Sequence, residues 1–432
     1  MKWLGGYAPL FRSKGFLLLW LSGAISSCGD AVYRVALLLL VTGISKSPLA
    51  LAAVVATQTA VGILLGPIAG VLADRYPRPR LMLLADATRL VALLVMARVE
   101  SLSLLFPLVM VLAAAGALFN PARLALVPDL VGQQNYVSAT SLHETTSSVV
   151  CLVGPALGGI LIAYHGLPAA FLLDAATFAI SVVALVLLQR GRSGAFGEVA
   201  ESTFAPIDTA APAATQLSSI WSQFKQGLRA ISARPSVVFV ISLLLPVMIA
   251  LGALNVLQID YLRNVLLASP EQVGFVESVM FAGSLLSTFL LGLFGQRLNK
   301  GRLLLTSIVL MGLATSVFLL QPSLLVVYGW AFFLGASDGL MAIPFYGIVV
   351  NQTAREVRGR VMSCFDSLMR VGMLVGLGIS GAAAVRFGSN LVIGFAGLGV
   401  LLVGIAAHWH PRYAALVEGE SPPGQLVASQ AN

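Results

Sequence analysis

The chain has 432 residues, a net charge of +8, 58% hydrophobic and only 10% charged residues, and a mean hydropathy of +0.92. Soluble domains carry charge on roughly a quarter of their residues, so this composition excludes an ordinary soluble protein. It also argues against a nucleic-acid partner, because the basic residues are scattered over separate loops and tails instead of forming one patch.

Runs of roughly 20 apolar residues cross a bilayer as helices, since hydrocarbon offers the backbone no other hydrogen-bond partners. Such runs fall at about 16–40, 48–72, 81–98, 104–126, 138–163 and 169–188. A second set lies at about 237–259, 272–294, 303–320, 324–350, 361–384 and 390–408. The first run is too long for a signal-peptide core, and no small-residue cleavage site follows it. The expected fold is an all-α integral membrane protein of twelve helices in two pseudo-symmetric six-helix bundles, 1–188 and 237–408. Between them, 189–236 reads as a cytoplasmic linker, and 409–432 as a cytoplasmic tail. The linker is rich in Gly, Ser, Ala, Thr and Pro from Gly191 to Thr215. Ile220, Trp221, Phe224, Leu228 and Ile231 then recur at helical spacing among Lys225, Arg229 and Arg234. That pattern suits either an interfacial helix or an amphipathic linker.

Lys and Arg placement orients the chain. With the N-terminus cytoplasmic, that side carries eighteen Lys and Arg, against Lys46, Arg98, Arg263 and Arg386 opposite. The positive-inside bias then puts both termini in the cytoplasm.

One loop recurs. Gly66-Pro-Ile-Ala-Gly70-Val-Leu-Ala-Asp74-Arg75-Tyr-Pro-Arg78-Pro-Arg80 joins the second and third runs, and 222 residues later stands Gly292-Leu-Phe-Gly-Gln296-Arg297-Leu-Asn-Lys300-Gly-Arg302. A basic knot between two spans, repeated at one offset, marks two homologous halves, an architecture of secondary transporters.

The loop at 66–80 resembles the signature of the major facilitator superfamily, Gly-x-x-x-Asp-Arg-x-Gly-x-Arg-Arg. Gly70, Asp74, Arg75 and Arg80 fit; Pro77 and Pro79 depart from it, and Arg78 compensates for a missing basic residue. The resemblance implies a latch between the halves, with Asp74 near the start of the eleventh helix, where Arg358-Gly359-Arg360 stands. Gly154-Pro155-Ala-Leu-Gly158-Gly159 in the fifth helix matches the end of the family's antiporter motif, with Val150 replacing a glycine. The motif points toward export; small residues of this kind also let helices approach closely, so packing alone is the alternative role. Ser26-Ser-Cys-Gly-Asp30, Asn120-Pro-Ala-Arg123 and Val357-Arg-Gly-Arg360 extend the resemblance to the macrolide-efflux and enterobactin-exporter branch. The lysophospholipid-transporter branch shares a similar pattern.

Other patterns carry no chemistry. Gly376-Leu-Gly378-Ile-Ser-Gly381 has dinucleotide-site spacing but lies within a span, with no strand before it. Cys28, Cys151 and Cys364 have no metal or redox spacing, and His143, His165, His408 and His410 form no ligand pattern. No Walker loop or acidic pair for a divalent metal appears, so neither an enzyme nor a cofactor is expected.

Ionisable groups inside a bilayer cost at least about 2.5–3.5 kcal/mol each, and so call for a function. Asp30, Asp86 and Asp366 have a cation one turn on, at Arg34, Arg89 and Arg370. Glu144, Asp174, Glu277 and Asp338 have none at three or four residues, which suits a proton carrier. The family's architecture implies that helices one, four, seven and ten line a cavity walled by two, five, eight and eleven. That places Asp30 and Asp338 in the cavity and Glu144, Glu277 and Asp366 at its walls, and leaves Asp86 and Asp174 as structural groups. The 222 offset maps Glu144 onto Asp366. The resemblance as a whole implies a monomeric, proton-coupled exporter of a small organic solute in a bacterial cytoplasmic membrane. The alternative is a lysolipid transporter in which Arg34 and Arg370 hold a phosphate.

Overall fold

The computed structural model describes residues 8–195, 225–294, 298–351, 353 and 357–409. These residues form helices and no strand. Six long helices come first: α1 (Lys14–Ile44), α2 (Pro48–Arg75), α3 (Arg78–Met96), α4 (Leu102–Val131), α5 (Tyr136–His165) and α6 (Leu167–Ala195). Six more follow: α7 (Pro235–Asp260), α8 (Pro270–Phe294), α9 (Lys300–Ser316), α10 (Leu324–Asn351), α11 (Arg358–Phe387) and α12 (Ser389–His408). Among the described residues, eleven helices are long and apolar enough to span a membrane. The exception is α3, which carries Arg78, Arg80, Asp86 and Arg89 within 19 residues.

Local chemistry sets the ends. Ser13 caps α1, its Oγ accepting from the Phe16 N–H at 3.3 Å, and Asn299 caps α9 by accepting from the Arg302 N–H at 3.0 Å. Proline opens α2 and α7 in the first turn, where a missing N–H costs nothing. Gly166 ends α5 with φ 80°, and Gly388 ends α11 with φ 84°. These two turns are 222 residues apart, the same offset as the repeated loop.

Two expected boundaries change. The sixth helix runs on to Ala195, so the first residues of the expected linker are helical. In the amphipathic segment, Ile220, Trp221 and Phe224 lie outside the described residues, and 225–232 is a short helix. Ile231 is buried on it, and a side chain at Gly227 would strike the Arg360 carbonyl and Cys364. That face therefore packs on α11 and is not free to lie in a bilayer surface, while Leu228 stays exposed. Gln296, Arg297, most of the linker and the tail beyond Trp409 lie outside the described residues.

The chain divides at Thr209/Ala210 into two compact units, with the segment Leu262–Ser278 joining the first. Within the first, α1 packs on α5 and α6, α3 on α4 and α6, and α2 on α4. Within the second, α7 packs on α11 and α12, and α9 on α10 and α12. Gly283 and Gly335 bring α8 and α10 into backbone contact, completing the parallel. Leu64, Leu84, Val91, Phe289, Phe395 and Leu402 point outward and are exposed, as lipid-facing side chains should be.

Candidate functional site

The charges of α1, α3 and α6 meet inside the first unit. Asp30 and Tyr33 from α1, Gln58 from α2, Arg89 from α3 and Asp174 and Phe178 from α6 line a cavity of about 220 Å3. Gln58 Nε2 donates to the Tyr33 hydroxyl at 3.2 Å. Arg89 is fixed in place: its guanidinium lies 5.3 Å from the Phe119 ring centre, 5.1 Å from that of Phe178, and 3.7 Å from Asp86 Oδ1. Gly116 supplies the room, since a Cβ there would come within 2.8 Å of Arg89 Nη2.

Asp86 is fully buried. Its Oδ2 accepts from Ser181 Oγ at 2.6 Å, while Oδ1 has no hydrogen-bond partner. Asp174 is 1% exposed and rests against α1 at Gly29, where a Cβ would collide with Asp174 Oδ1 and Thr177 Oγ1. Glycine at 29 is thus what allows α6 to bring Asp174 beside Asp30. Asp30 itself is exposed to the cavity. One guanidinium serves three carboxylates, in surroundings where uncompensated charge is costly.

The intrahelical pairs read from spacing therefore resolve differently. Asp86–Arg89 closes, but Asp30–Arg34 and Asp366–Arg370 form no ion pair, and these four side chains are exposed. Spacing puts two groups on one helix face, and neighbouring helices then decide whether they meet. Arg34 is near enough for its charge to act on both Asp30 and Glu277, the latter buried on the part of α8 that belongs to the first unit.

Glu144 also acquires a partner that spacing alone does not reveal. It lines a small cavity with Trp20, Tyr136, His143 and Arg123, and its charge acts on Arg123 of α4. Trp20 Nε1 donates to Thr146 Oγ1 at 3.2 Å across the same α1–α5 contact. In the second unit, Asp338 is exposed on α10 beside Gly339, which packs against Ser287 and Thr288 of α8.

The glycine motif of α5 is packed on two sides. Gly154 and Gly158 face Ala31 and Val32 of α1, and Gly159 faces the backbone of Pro270 and Glu271. Gly274 returns the contact against Pro155, and the Ala156 N–H donates to Ser278 Oγ at 3.1 Å. In the signature loop, Gly70, Asp74 and Arg75 lie at the end of α2, and Arg80 is exposed in the first turn of α3. Arg78 is bound within its own unit, 2.7 Å from Asp129 Oδ2 and 3.0 Å from the Ala125 carbonyl of α4. Arg360 is exposed in the first turn of α11.

Sequence reasoning set Asp86 and Asp174 aside as structural groups on peripheral helices, yet they stand around the same cavity region as Asp30. The signal that points to them is Asp174 itself, a mid-span acid with no cation on its own helix, together with a glycine next to Asp30.

Comparison with known proteins agrees with this architecture. The transmembrane secretion effector family matches residues 4–422. The uncharacterized MFS-type transporter YfiS of Bacillus subtilis (strain 168) is 30% identical, over 92% of this chain and 93% of its own. Multidrug efflux pump Tap of Mycolicibacterium fortuitum is 26% identical over 95% and 99%, and lysophospholipid transporter LplT of Klebsiella pneumoniae (strain 342) 25% over 93% and 96%. The crystal structure of the nucleoside transporter NupG superposes with a TM-score of 0.67 at 12% identity, over 93% of this chain and 98% of that one, a likeness of fold. The chain is a multi-pass membrane transporter and not an enzyme, and it belongs to the transmembrane secretion effector family of the major facilitator superfamily.

Proposed function

We propose that this protein is a secondary active exporter of a small organic solute, driven by inward proton movement through alternating access. The observation that carries the reading is the arrangement of Asp30, Asp86 and Asp174 around one fixed guanidinium, Arg89, at a cavity inside the bundle. Carboxylates in excess of cations within membrane helices are groups that take up and release protons. An inward proton contributes roughly 2.3 kcal/mol per 100 mV of membrane potential and about 1.4 kcal/mol per unit of pH gradient. Similarity to multidrug efflux pump Tap supports export.

In this reading two six-helix halves, 1–188 and 237–408, sit in the bacterial cytoplasmic membrane with both termini cytoplasmic, and the protein works as a monomer. Asp30 exchanges its proton with substrate, with Arg34, Glu277 and Asp338 contributing to binding. Glu144 releases protons to the cytoplasm, assisted by its repeat counterpart Asp366 and by Arg370. Gly70, Asp74, Arg75, Arg80 and Arg360 govern conformational exchange, with Arg78 bracing their loop. Gly154, Pro155, Gly158 and Gly159 keep α5 closely packed as the states interchange.

Proteoliposomes test this. Asp30→Asn is expected to abolish export. Glu144→Gln should abolish uphill export under a pH gradient yet permit downhill exchange. If wild-type transport is indifferent to both the pH gradient and the potential, the antiport reading fails.

A second reading, transport of a lysophospholipid, is favoured by the exposed, unpaired Arg34 and Arg370, which could receive a phosphate, and by similarity to LplT. It predicts translocation of a labelled lysophospholipid that is lost in Arg34→Ala and unaffected by collapse of the pH gradient.

A further inference from the structure

We propose that Asp30 and Asp174 bind one proton between them, making the α1–α6 contact a proton site distinct from the Asp86–Arg89 pair. The proposal extends the proton-coupled reading to a residue outside the helices expected to line the transport pathway.

The charge arrangement comes first. Arg89 is within ion-pair distance of Asp86 and is confined between Phe119 and Phe178, with Gly116 behind it. It cannot swing to a second acid without leaving that cage and stranding Asp86, whose Oδ1 already lacks a hydrogen-bond partner. Arg89 pairs with Asp86, and its single charge, which also acts on Asp30 and Asp174, cannot neutralise all three carboxylates. Asp30 and Asp174 remain, on adjacent helices around the same cavity, each near enough for its charge to act on the other. Two carboxylates sharing one site, with Asp174 buried in it, oppose each other's ionisation and hold a proton in common.

Hydrogen bonding at Asp174 gives a second, independent line. Thr177 Oγ1 lies 2.7 Å from the Asp174 carbonyl oxygen and 3.2 Å from Asp174 Oδ1. A hydroxyl has one proton to give and two lone pairs to offer. The shorter contact uses the proton on the carbonyl. The same hydroxyl reaches Asp174 Oδ1 only at the longer distance, so the carboxyl accepts at best a shared proton there and its charge is weakly compensated. Gly29 holds the carboxyl in that position, because any side chain there would displace both Asp174 and Thr177.

Among the described residues, the charged and titratable groups acting on the pair or on its neighbours lie on α1, α3, α6 and α8. Tyr33 and Arg34 share α1 with Asp30, Asp86 and Arg89 lie on α3, and Glu277 on α8 faces Arg34. From α4 the cluster meets the uncharged Leu112, Ala113, Gly116 and Phe119. Arg89 acts on both acids, whereas Arg34 acts on Asp30 and not on Asp174, so the proton is favoured on Asp174.

Infrared spectroscopy of the full-length protein in lipid tests this, because a protonated carboxyl has a carbonyl stretch that ionised surface acids lack. At neutral pH the wild type should show such a band. Asp30→Asn and Asp174→Asn, which keep size and shape, should each reduce that component to about a tenth or less, since either acid alone beside Arg34 or Arg89 ionises. Loss of the component in only one of the two variants would mean two independent acids and overturn the shared site. So would its persistence in both. A wild type without a protonated carboxyl at neutral pH overturns the proposal with no variant needed, which covers a variant that fails to fold. A band that vanishes when potassium is replaced by sodium at constant pH would make this a sodium site and overturn the proton assignment. The measurement needs no gradient and no substrate. Failure of proton-driven export therefore leaves this result standing, and failure here leaves the export test standing.

Discussion

Where α3 meets α6, the interface holds Asp86, Arg89, Asp174 and Ser181. Where α9 meets α12, the positions 222 residues later are Ile308, Met311, Ala396 and Val403. Ile308 and Met311 are buried, and α12 approaches α9 closely through Gly397 and Gly404. The same helix pairing is thus built once around charge and once around close apolar contact. Asp30 follows the same rule: its counterpart is Gly252, packed against the Met373 carbonyl of α11. A six-helix set of this kind closes without any of these ionisable groups. Their presence in the first unit, at several kcal/mol each by general estimates of burial, therefore calls for an explanation other than folding.

The comparison is broken most severely by giving the second unit the first unit's charge. Met311 is 2% exposed, and the position matching Asp86 is Ile308. Met311→Arg therefore buries a cation with no acid to receive it, at a cost of at least about 3–5 kcal/mol. The protein should fail to accumulate in membranes as monodisperse material. Normal yield and an unchanged melting temperature would mean that the α9–α12 interface is not closed.

The reverse exchange separates stability from transport. Arg89→Met alone leaves Asp86 buried without its cation and should destabilise by about 3–5 kcal/mol. The triple variant Asp86→Ile/Arg89→Met/Asp174→Ala copies the second unit and removes the whole network. Replacing a buried ionic group by apolar residues of similar size is commonly neutral or stabilising by about 1–4 kcal/mol, so this variant should melt at or above the wild-type temperature. Transport should nevertheless be lost. Retained transport would show that the charges are an alternative packing solution with no role in the cycle.

How far the sequence could reveal this depends on which contacts are local. Spans, the Gly166 and Gly388 turns and the 222-residue repeat are written in short windows, and the helices follow those windows to within several residues. Asp86–Arg89 is legible for the same reason, being one turn apart on one helix. Asp174 beside Gly29 and Arg123 beside Glu144 are not, because such contacts depend on how each helix is rotated about its own axis. In a span that is apolar all round, no polar stripe reports that rotation: α4 and α10 carry almost no amphipathic signal. For the same reason the pairs at Asp30–Arg34 and Asp366–Arg370 look closed from spacing and are open.

A milder perturbation sharpens the role of Gly29, whose counterpart is Leu251. Gly29→Ala places a methyl group against Asp174 Oδ1 and Thr177 Oγ1 and should destabilise by about 2 kcal/mol, a typical overpacking cost. Asp174→Ala removes the Oδ1 obstruction and leaves Thr177 Oγ1 in place, so the double variant should regain part of that loss. Additive effects in this double-mutant cycle would mean that the two residues do not touch.

The smallest effect tests the half of the comparison that predicts sameness. Gly166 and Gly388 end α5 and α11 with φ of 80° and 84° and ψ of 170° and 150°. This region of backbone space is open almost solely to glycine, and occupying it with another residue costs of order 1–3 kcal/mol. Helix ends can relax, so each alanine variant should lose about 1 kcal/mol, the low end of that range. Neither added Cβ meets a severe obstacle: the nearest atoms are Pro168 Cδ at 3.6 Å and Asn390 Oδ1 at 3.2 Å. Backbone strain alone then sets the cost, and strain is what the two turns share. Gly166→Ala and Gly388→Ala should therefore lower the melting temperature equally within error and leave transport intact. A large difference between them would mean that the turns are not equivalent parts of one repeated scaffold, and that the contrast at α3–α6 and α9–α12 extends beyond the charged cluster.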